Sequence, residues 1–500
     1  MRRMPRPPVL LILTVAFLLF YYSFHPPPAQ LSTARASARP FRLLRRADFE
    51  QEVNPIEEGL HVFGEFEGYD FPESHERKDL FRQLVRRIKR ELTKVDSPFE
   101  YCTKGVSLAE RWLDKYREEY APDTTWEEYF AQIDTCSSYK AEAWASVIVP
   151  LIKDLKTRKL ESSHIFGEGT QVKLHLIFEG GLEANFKPKR FNREFETDPN
   201  HFYFSDFERH NAEVAAFHLD RVLELYRGVP TTFRTFNLRS EIWPTSDRRL
   251  NKTFFISPSE NVCFMSKCDY YCDTTHAICG RPERKEAMVQ VWLPDEDFVR
   301  RIEFKSPYKR TYSKHDPEAR WQIDQDYCQN VVLELKEYAH GRGLLDLMEI
   351  AVYDFFIGNQ DRHHYETFIK YFRQQTFPLW LDQGRGFGRA YLDDMDILAP
   401  LMQCCLIRPA FLSRLLHIAG GNKTLGQLVE ESIAEVEEEE HLPGLADKHL
   451  EALDRRLAIV LQTVYKCIQK NGVKNVVMNE YDNPNIAEGE GNELPDSNEE

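Results

Sequence analysis

Beyond residue 24 the 500-residue chain lacks any long apolar run, which excludes a multi-span membrane protein. It is also short of positive charge. Lys and Arg number 65 against 80 Asp and Glu, for a net charge of −15. A protein that coats nucleic acid needs a basic footprint, so that class is excluded and no nucleic-acid partner is expected. There is no internal repeat and no C-x2-C pair. Apolar material, by contrast, is ample. Hydrophobic residues make up 42% of the chain, and 34 Phe, 22 Tyr and 7 Trp are spread along it. Low-complexity disorder is therefore excluded for the bulk, and the length suits about two to four domains.

The single apolar run, Val9 to Phe24, follows Arg2, Arg3 and Arg6. A basic flank before such a run reads as a type II signal anchor, with a cleaved signal peptide as the alternative. This gives a cytosolic tail over 1–8, an anchor over 9–24 and a Pro- and Ser-rich stem over 25–60, with all that follows luminal or extracellular. Helical spacing of Leu80, Leu84, Val85 and Ile88 marks an N-terminal helical segment, 61–160. Alternation at Val172, Leu174 and Leu176, a Gly180-Gly181 turn and a return strand through Ala184 and Phe186 predict a β-hairpin. A long helix follows at about 206–226, capped by Ser205-Asp206, and the rest to about 475 reads as mostly helical. After Lys474 there are eight acidic residues and no basic one, a disordered tail over 476–500. Ten cysteines, four of them between Cys263 and Cys279 and two adjacent at Cys404-Cys405, imply disulfides in an oxidising lumen or a metal site in a reducing cytosol. The C-x4-C-x3-C-x6-C spacing is poor for a zinc knuckle. Asn251 and Asn422 head N-x-T triplets and are glycosylation acceptors if luminal.

Three constellations carry chemistry. Gly167-Glu168-Gly169, with Thr170, Gln171 and Lys173 behind it, has the form of a phosphate loop, although an ordinary turn has the same residues. Lys187 stands at the end of the return strand, where it can hold phosphates. On the predicted helix, Glu208 and Glu213 are five apart, about 140° around the axis. They are thus expected to serve separate ends, one pairing Lys187 and the other reaching a metal. Finally, Gly358-Asn-Gln-Asp361-Arg-His-His-Tyr-Glu366 follows an apolar helix at about 344–357, and Asp382-Gln-Gly384 ends an apolar strand. A loop aspartate can take a hydroxyl proton, and a second carboxylate can bind Mg²⁺ or Mn²⁺. His363 and His364 lack a third residue spaced for zinc.

Lysine on a hairpin, glutamate on the next helix, a loop aspartate and then Asp-x-Gly is the order of a protein-kinase-like fold. On Tyr203-Phe-Ser-Asp-Phe-Glu-Arg-His-Asn-Ala-Glu213, Cys268-Asp-Tyr-Tyr-Cys272, Gly358–Glu366, Asp382-Gln-Gly-Arg-Gly-Phe-Gly388 and Gln403-Cys-Cys405, the stretch 165–475 closely resembles the secretory-pathway kinases of the family with sequence similarity twenty. The resemblance implies an atypical two-lobed α+β kinase fold: a β-containing N-lobe over 161–240 and a mostly helical C-lobe over 241–475. It implies ATP and Mn²⁺ as cofactors, with Mg²⁺ as a substitute. It makes Lys187 the nucleotide lysine, Glu213 its helix partner, Glu208 and Asp382 metal carboxylates and Asp361 the catalytic aspartate. Glu366 stands where ordinary kinases have a metal-binding Asn, and Gln383 replaces the Phe of Asp-Phe-Gly.

A pseudokinase relative has Gln at the position of Glu208, and a xylose-kinase relative tends to have Asp there. The chain sides with the casein-kinase branch, which phosphorylates Ser in Ser-x-Glu of secreted proteins. A glycosaminoglycan-linker xylose kinase and a pseudokinase activator are the alternatives, and a homodimer or a heterodimer with a relative is implied as an assembly. Lys305, Lys309, Arg310 and Lys314 are the candidate basic patch for an acidic substrate. The resemblance also implies the disulfides Cys263–Cys279 and Cys268–Cys272, with Cys328 and Cys467 each bonded to one of Cys404 and Cys405. Of the two assignments, Cys328–Cys404 with Cys405–Cys467 is favoured over the exchanged pair. It leaves Cys102 and Cys136 as a further possible pair. Ser74-His-Glu and Ser497-Asn-Glu fit Ser-x-Glu and are candidate self-phosphorylation sites.

Overall fold

A computed structural model of the chain describes residues 75–95, 124–166, 170–198, 206–294, 299, 301–311, 317–368 and 376–479. The anchor, the stem, Gly169, Cys102, Lys314, Ser74 and the acidic tail beyond Asn479 lie outside the described residues. The expected start of that tail at 476 is corrected, because Val476 and Val477 are buried and Val477 bridges Ile407. Among the described residues no helix is long and apolar enough to cross a membrane.

Helix α1 (His75–Leu92) buries Leu84, Val85, Ile88 and Leu92, a stripe at helical spacing. The expected N-terminal helical segment is divided between two cores. Helix α1 packs on the C-terminal helices, whereas α2 (Thr125–Phe130) and α3 (Val149–Thr157) cover a sheet. That sheet holds β1 (Leu160–Ile165), β2 (Leu174–Phe178), β3 (Leu182–Pro188), β4 (Thr231–Asn237) and β8 (Arg284–Val291), in the order β1-β2-β3-β8-β4. All its pairings are antiparallel. Strand β8 sits between β3 and β4, so a cut at residue 240 would divide one sheet. Between β3 and β4 runs helix α4 (His210–Val222). Ala215, Ala216 and Leu219 of α4 join the C-lobe core and Phe217 joins the N-lobe core, so the helix straddles the two.

Residues 241–305 depart from the helical expectation. A small sheet of β5 (Phe255–Ile256), β6 (Val262–Phe264) and β7 (Ile278–Cys279) places Cys263 opposite Cys279, and the two are bonded. Further on, β9 (Ile302–Lys305) pairs with β10 (His364–Thr367). Short paired strands with polar turns carry no helical period, and their partners are too distant in sequence to be read locally.

The C-lobe is built around α5 (Gly343–Ile357), buried on every face from Leu344 to Ile357. Its acids Asp346 and Glu349 are buried with Arg227, Arg342 and Arg408; Arg408 Nη1 lies 2.9 Å from Asp346 and 2.5 Å from Glu349. Buried charges of this kind are tolerated only when paired. Helices α6 (Ala399–Cys404), α7 (Pro409–Ala419), α8 (Leu425–Ala434) and α9 (Asp447–Asn471) complete the lobe. Cys328–Cys404 and Cys405–Cys467 lock the segment around α6 to its neighbours, and Cys268–Cys272 closes a short loop. Cys136 is disulfide-bonded as well, to a partner outside the described residues.

Candidate active site

Lys187 lies on β3 in register with Met288 of β8 and is 3% exposed, so its ammonium is carried inward instead of into solvent. Three carboxylates meet it. Glu208 Oε2 and Asp382 Oδ1 are each 3.0 Å from Nζ, and Glu213 pairs with it directly. Burial alone would lower the lysine's pKa; Glu208, Glu213 and Asp382 override it and hold the group well above its ordinary value. Lys173 Nζ, from the residues leading into β2, lies 3.1 Å from the same Asp382 oxygen. Lys173 and Lys187 together hold Asp382 well below the usual carboxylate range.

The expectation that Glu208 and Glu213 point apart is corrected here. Helix α4 begins at His210 with Arg209 as its N-cap, so Glu208 lies in extended chain before the helix and the 140° relation does not apply. Both carboxylates converge on Lys187. Asp206 is no cap either; its carboxylate accepts from Arg209 Nη1 (2.9 Å) and the Phe207 N–H (2.8 Å). Glu213, in the first turn of α4, also accepts the N–H of Gln383 through Oε2 (2.9 Å), tying the helix to the Asp382 loop.

Asp382 does not end a strand: only Trp380 makes an isolated bridge, to Gly228. Asp382 itself has φ +52°, a left-handed turn that aims its carboxylate at the two lysines. At Gly384 a Cβ would stand 2.9 Å from Glu208 Cβ, so only glycine lets that loop pass so close.

Helix α5 ends at Gly358, φ +68°, and the chain turns into the loop bearing Asp361. Arg362 joins the two loops. It holds Asp354 by Nε (2.9 Å) and Nη2 (3.0 Å), donates to Leu381 O (2.8 Å), and donates to Gln383 Oε1 (2.8 Å). Gln383, in the place of an Asp-Phe-Gly phenylalanine, thus makes polar bonds to both the catalytic-type loop and α4. Asp361 Oδ2 lies 2.6 Å from Arg385 Nη1, and Arg385 Nη2 donates to Thr170 Oγ1 (3.2 Å).

Thr170, Lys173, Glu208, Asp361, Asp382 and Arg385 line one cleft of about 520 Å³, and the buried Lys187 and Glu213 meet it through Glu208 and Asp382. Glu366 also lines it, on β10 opposite Glu303, with its carboxylate 2.7 Å from Arg301 Nε. Gln171 is buried and turned to Asp206 O (3.4 Å) instead of lining the cleft. Of the candidate basic patch, Lys305 and Lys309 are exposed. Lys305 ends β9, while Arg310 is paired with Asp394 (3.0 Å) and Asp396 (3.6 Å), so nearby acids take up its charge. Asn251 and Asn422 are both exposed. Arg362, Gln383 and Arg385 were missed as working residues; the only signal was their adjacency to Asp361 and to the Asp382-x-Gly384 motif.

One observation bears on a metal. Glu208 Oε2 is buried and receives no well-directed hydrogen bond despite its nearness to Lys187. Three carboxylates around two lysines leave hard oxygen donors in excess, which suits Mn²⁺ or Mg²⁺.

Residues 124–476 match the family model described as Fam20C, Golgi casein kinase, C-terminal. The extracellular serine/threonine protein kinase CeFam20 of Caenorhabditis elegans is 45% identical over 78% of this chain and 75% of its own length. An extracellular serine/threonine protein of Drosophila melanogaster is 49% identical over 63% of this chain, which spans only 58% of that relative. The crystal structure of the Golgi casein kinase with Mn/ADP bound superposes with a TM-score of 0.75 at 42% identity, covering 84% of this chain and 96% of that one. Relatives of other names match too: a pseudokinase FAM20A of Mus musculus, 43% identical over 62% of this chain and 56% of its own, and a glycosaminoglycan xylosylkinase of Homo sapiens, 39% identical over 65% of this chain and 76% of its own. The chain belongs to the Fam20 family of the Golgi casein kinase, and its two-lobed α+β fold is that family's ATP- and Mn²⁺-using kinase scaffold.

Proposed function

We propose that this protein is an active serine kinase of the secretory pathway that transfers the γ-phosphate of ATP to Ser in Ser-x-Glu motifs of secreted proteins. The observation that carries the reading is the meeting of buried Lys187 and Glu213 with Glu208 and Asp382, two carboxylates that line the same cleft as Asp361. In this reading Glu213 orients Lys187, and Lys187 with Lys173 offers cations to the nucleotide phosphates. Glu208 and Asp382 are the carboxylates that would hold Mn²⁺, with Glu366 as an added acid at the rim. When bound, Mn²⁺ supplies positive charge that neutralises the phosphate oxygens. Asp361 accepts the proton of the acceptor hydroxyl.

The carboxylate at Glu208, where the resemblance gives the pseudokinase a Gln, favours activity over the silent-partner reading. The apolar run at 9–24, the disulfides and the exposed Asn251 and Asn422 support a luminal or secreted protein with a single N-terminal anchor. A dimer with itself or a relative belongs to the same proposal.

Incubating the chain with ATP, Mn²⁺ and either a casein-type Ser-x-Glu peptide or a xylose acceptor tests the reading. Peptide labelling that Asp382→Ala abolishes supports it. Label on the xylose acceptor alone would make it a glycan kinase, and inertness on both would make it a silent partner.

A further inference from the structure

Resting on the kinase reading, we propose that Arg385 is the residue that contacts the transferring phosphoryl group and carries positive charge from Asp361 to it. The cations of the cleft are held in different places. Lys187 and Lys173 both converge on Asp382 Oδ1, so their charge sits on the side of the metal carboxylates. Arg362 also lines the cleft, but its guanidinium is committed to Asp354, Leu381 O and Gln383. His363 turns Nδ1 to Asp361 O (2.9 Å). Arg385 differs from all of these. One guanidinium nitrogen lies 2.6 Å from Asp361 Oδ2, and the other donates to Thr170 Oγ1 at 3.2 Å. Its planar fork therefore spans the gap between the hydroxyl-activating carboxylate and the loop that enters the phosphate side. A group moving from nucleotide to acceptor must cross that gap.

The placement is rigid. Gly386 N–H donates to Gln383 O (2.8 Å), Arg209 N–H donates to Gly384 O (2.6 Å) and Phe387 N–H donates to Ile357 O (2.6 Å). The turn that bears Arg385 is thus pinned to the Asp382 loop, to the start of α4 and to the end of α5. Its side chain is only 9% exposed, yet it lines the cleft. A charge held in place before reaction and screened from water is the kind that stabilises a charged transition state most. Guanidinium also matches phosphoryl oxygens in a bidentate way that an ammonium cannot.

In the step itself the Ser Oγ–P bond forms as the bond between the bridging oxygen and Pγ breaks. ADP leaves with that electron pair, and the hydroxyl proton passes to Asp361. Arg385 gives up neither proton nor electrons. It trades its contact with Thr170 for the phosphoryl oxygens while keeping Asp361 in place.

The test uses the full chain and its Arg385→Ala and Arg385→Lys variants, with thermal unfolding as the check of folding. Binding of ADP with Mn²⁺ is measured alone and with aluminium fluoride, a mimic of the transferring group, beside kcat and KM(ATP) on a Ser-x-Glu peptide. Arg385→Ala should lower kcat by about 10²-fold or more, with ADP affinity and KM(ATP) within about threefold. The extra affinity conferred by aluminium fluoride should vanish. Arg385→Lys should recover part of both. A kcat within about threefold of the parent, or a matching loss of plain ADP binding, overturns the proposal. If Arg385→Ala fails to fold, the same criteria apply to Arg385→Lys. A parent chain that neither binds ADP nor labels peptide would sink the kinase reading itself.

Discussion

Replacing Glu208 with Gln keeps the side chain's shape and removes one negative charge from a cluster in which two lysines face three carboxylates. At 3.0 Å from Lys187 the lost attraction is about 5.5 kcal/mol for an effective dielectric of about 20. Opposing it are the cost of burying the carboxylate and its repulsion from Asp382, but Lys187 and Lys173 outweigh both and hold the carboxyl below its ordinary value. The variant also leaves two carboxylates for two lysines, a neutral cluster. The variant should therefore lose only part of that attraction, and the Tm of the metal-free protein should fall by no more than about 3 °C. Catalysis should respond very differently, because no remaining group replaces the lost oxygen donor: peptide phosphorylation should fall at least about 10²-fold, and the Mn²⁺ dependence of ADP binding should weaken. The assays are thermal unfolding without metal, a Mn²⁺ titration of ADP binding and the initial rate on a Ser-x-Glu peptide. A rate within about threefold of the parent would refute the reasoning, as would a large loss of stability with unchanged Mn²⁺ response.

Gly384→Ala should cost activity about tenfold or more, since its Cβ would meet Glu208 Cβ at 2.9 Å and Glu213 Oε1 at 3.2 Å, forcing the cluster open; full activity would show the loop is not so confined. His218 and His449 are buried, and burial depresses each to about 3 from an ordinary 6.5. Their folded pKa lies below the unfolded one, so the stability they contribute is present above about pH 6.5 and is lost as pH falls toward 3. Near pH 5 the loss is about 2 kcal/mol each, set against the opposite effect of the buried carboxyls Asp220 and Asp454, which are raised to about 7 and about 6. A pH 7-to-5 Tm slope left unchanged by His218→Gln with His449→Gln would contradict this. Cys328–Cys404 and Cys405–Cys467 close separations of 76 and 62 residues, and removing either by double Ser substitution should cost about 4 kcal/mol on the chain-entropy account. An unchanged urea midpoint would exclude that contribution.

The parts of this molecule that were legible in sequence are those with a local signal. The β2–β3 hairpin alternates with period two and α1 follows a 3.6-residue stripe, so each was visible from its own residues. Lys187, Glu213, Asp361 and Asp382 were identifiable from their order along the chain. What was lost depends on contacts between distant segments. Strand β8 takes its place in the sheet from partners 50 to 100 residues away, and nothing in its own pattern sets it between β3 and β4. Glu208 was misread because helical geometry was extended two residues before α4 begins. The roles of Arg362, Gln383 and Arg385 come from hydrogen bonds between loops. Arg310 looked like an open cation only because Asp394 and Asp396 lie some 85 residues further on.

The proposed function requires that one cleft hold a nucleotide phosphate between Lys187 and Asp361 and pass it to serine. Its most direct test is mass-spectrometric location of the phosphate on a peptide carrying one Ser-x-Glu and one Ser-x-Gln, after incubation of the full chain with ATP and Mn²⁺. The account predicts phosphoserine at the Ser-x-Glu position, lost with Asp361→Asn. Phosphate at neither serine, or label that survives Asp361→Asn, would contradict it.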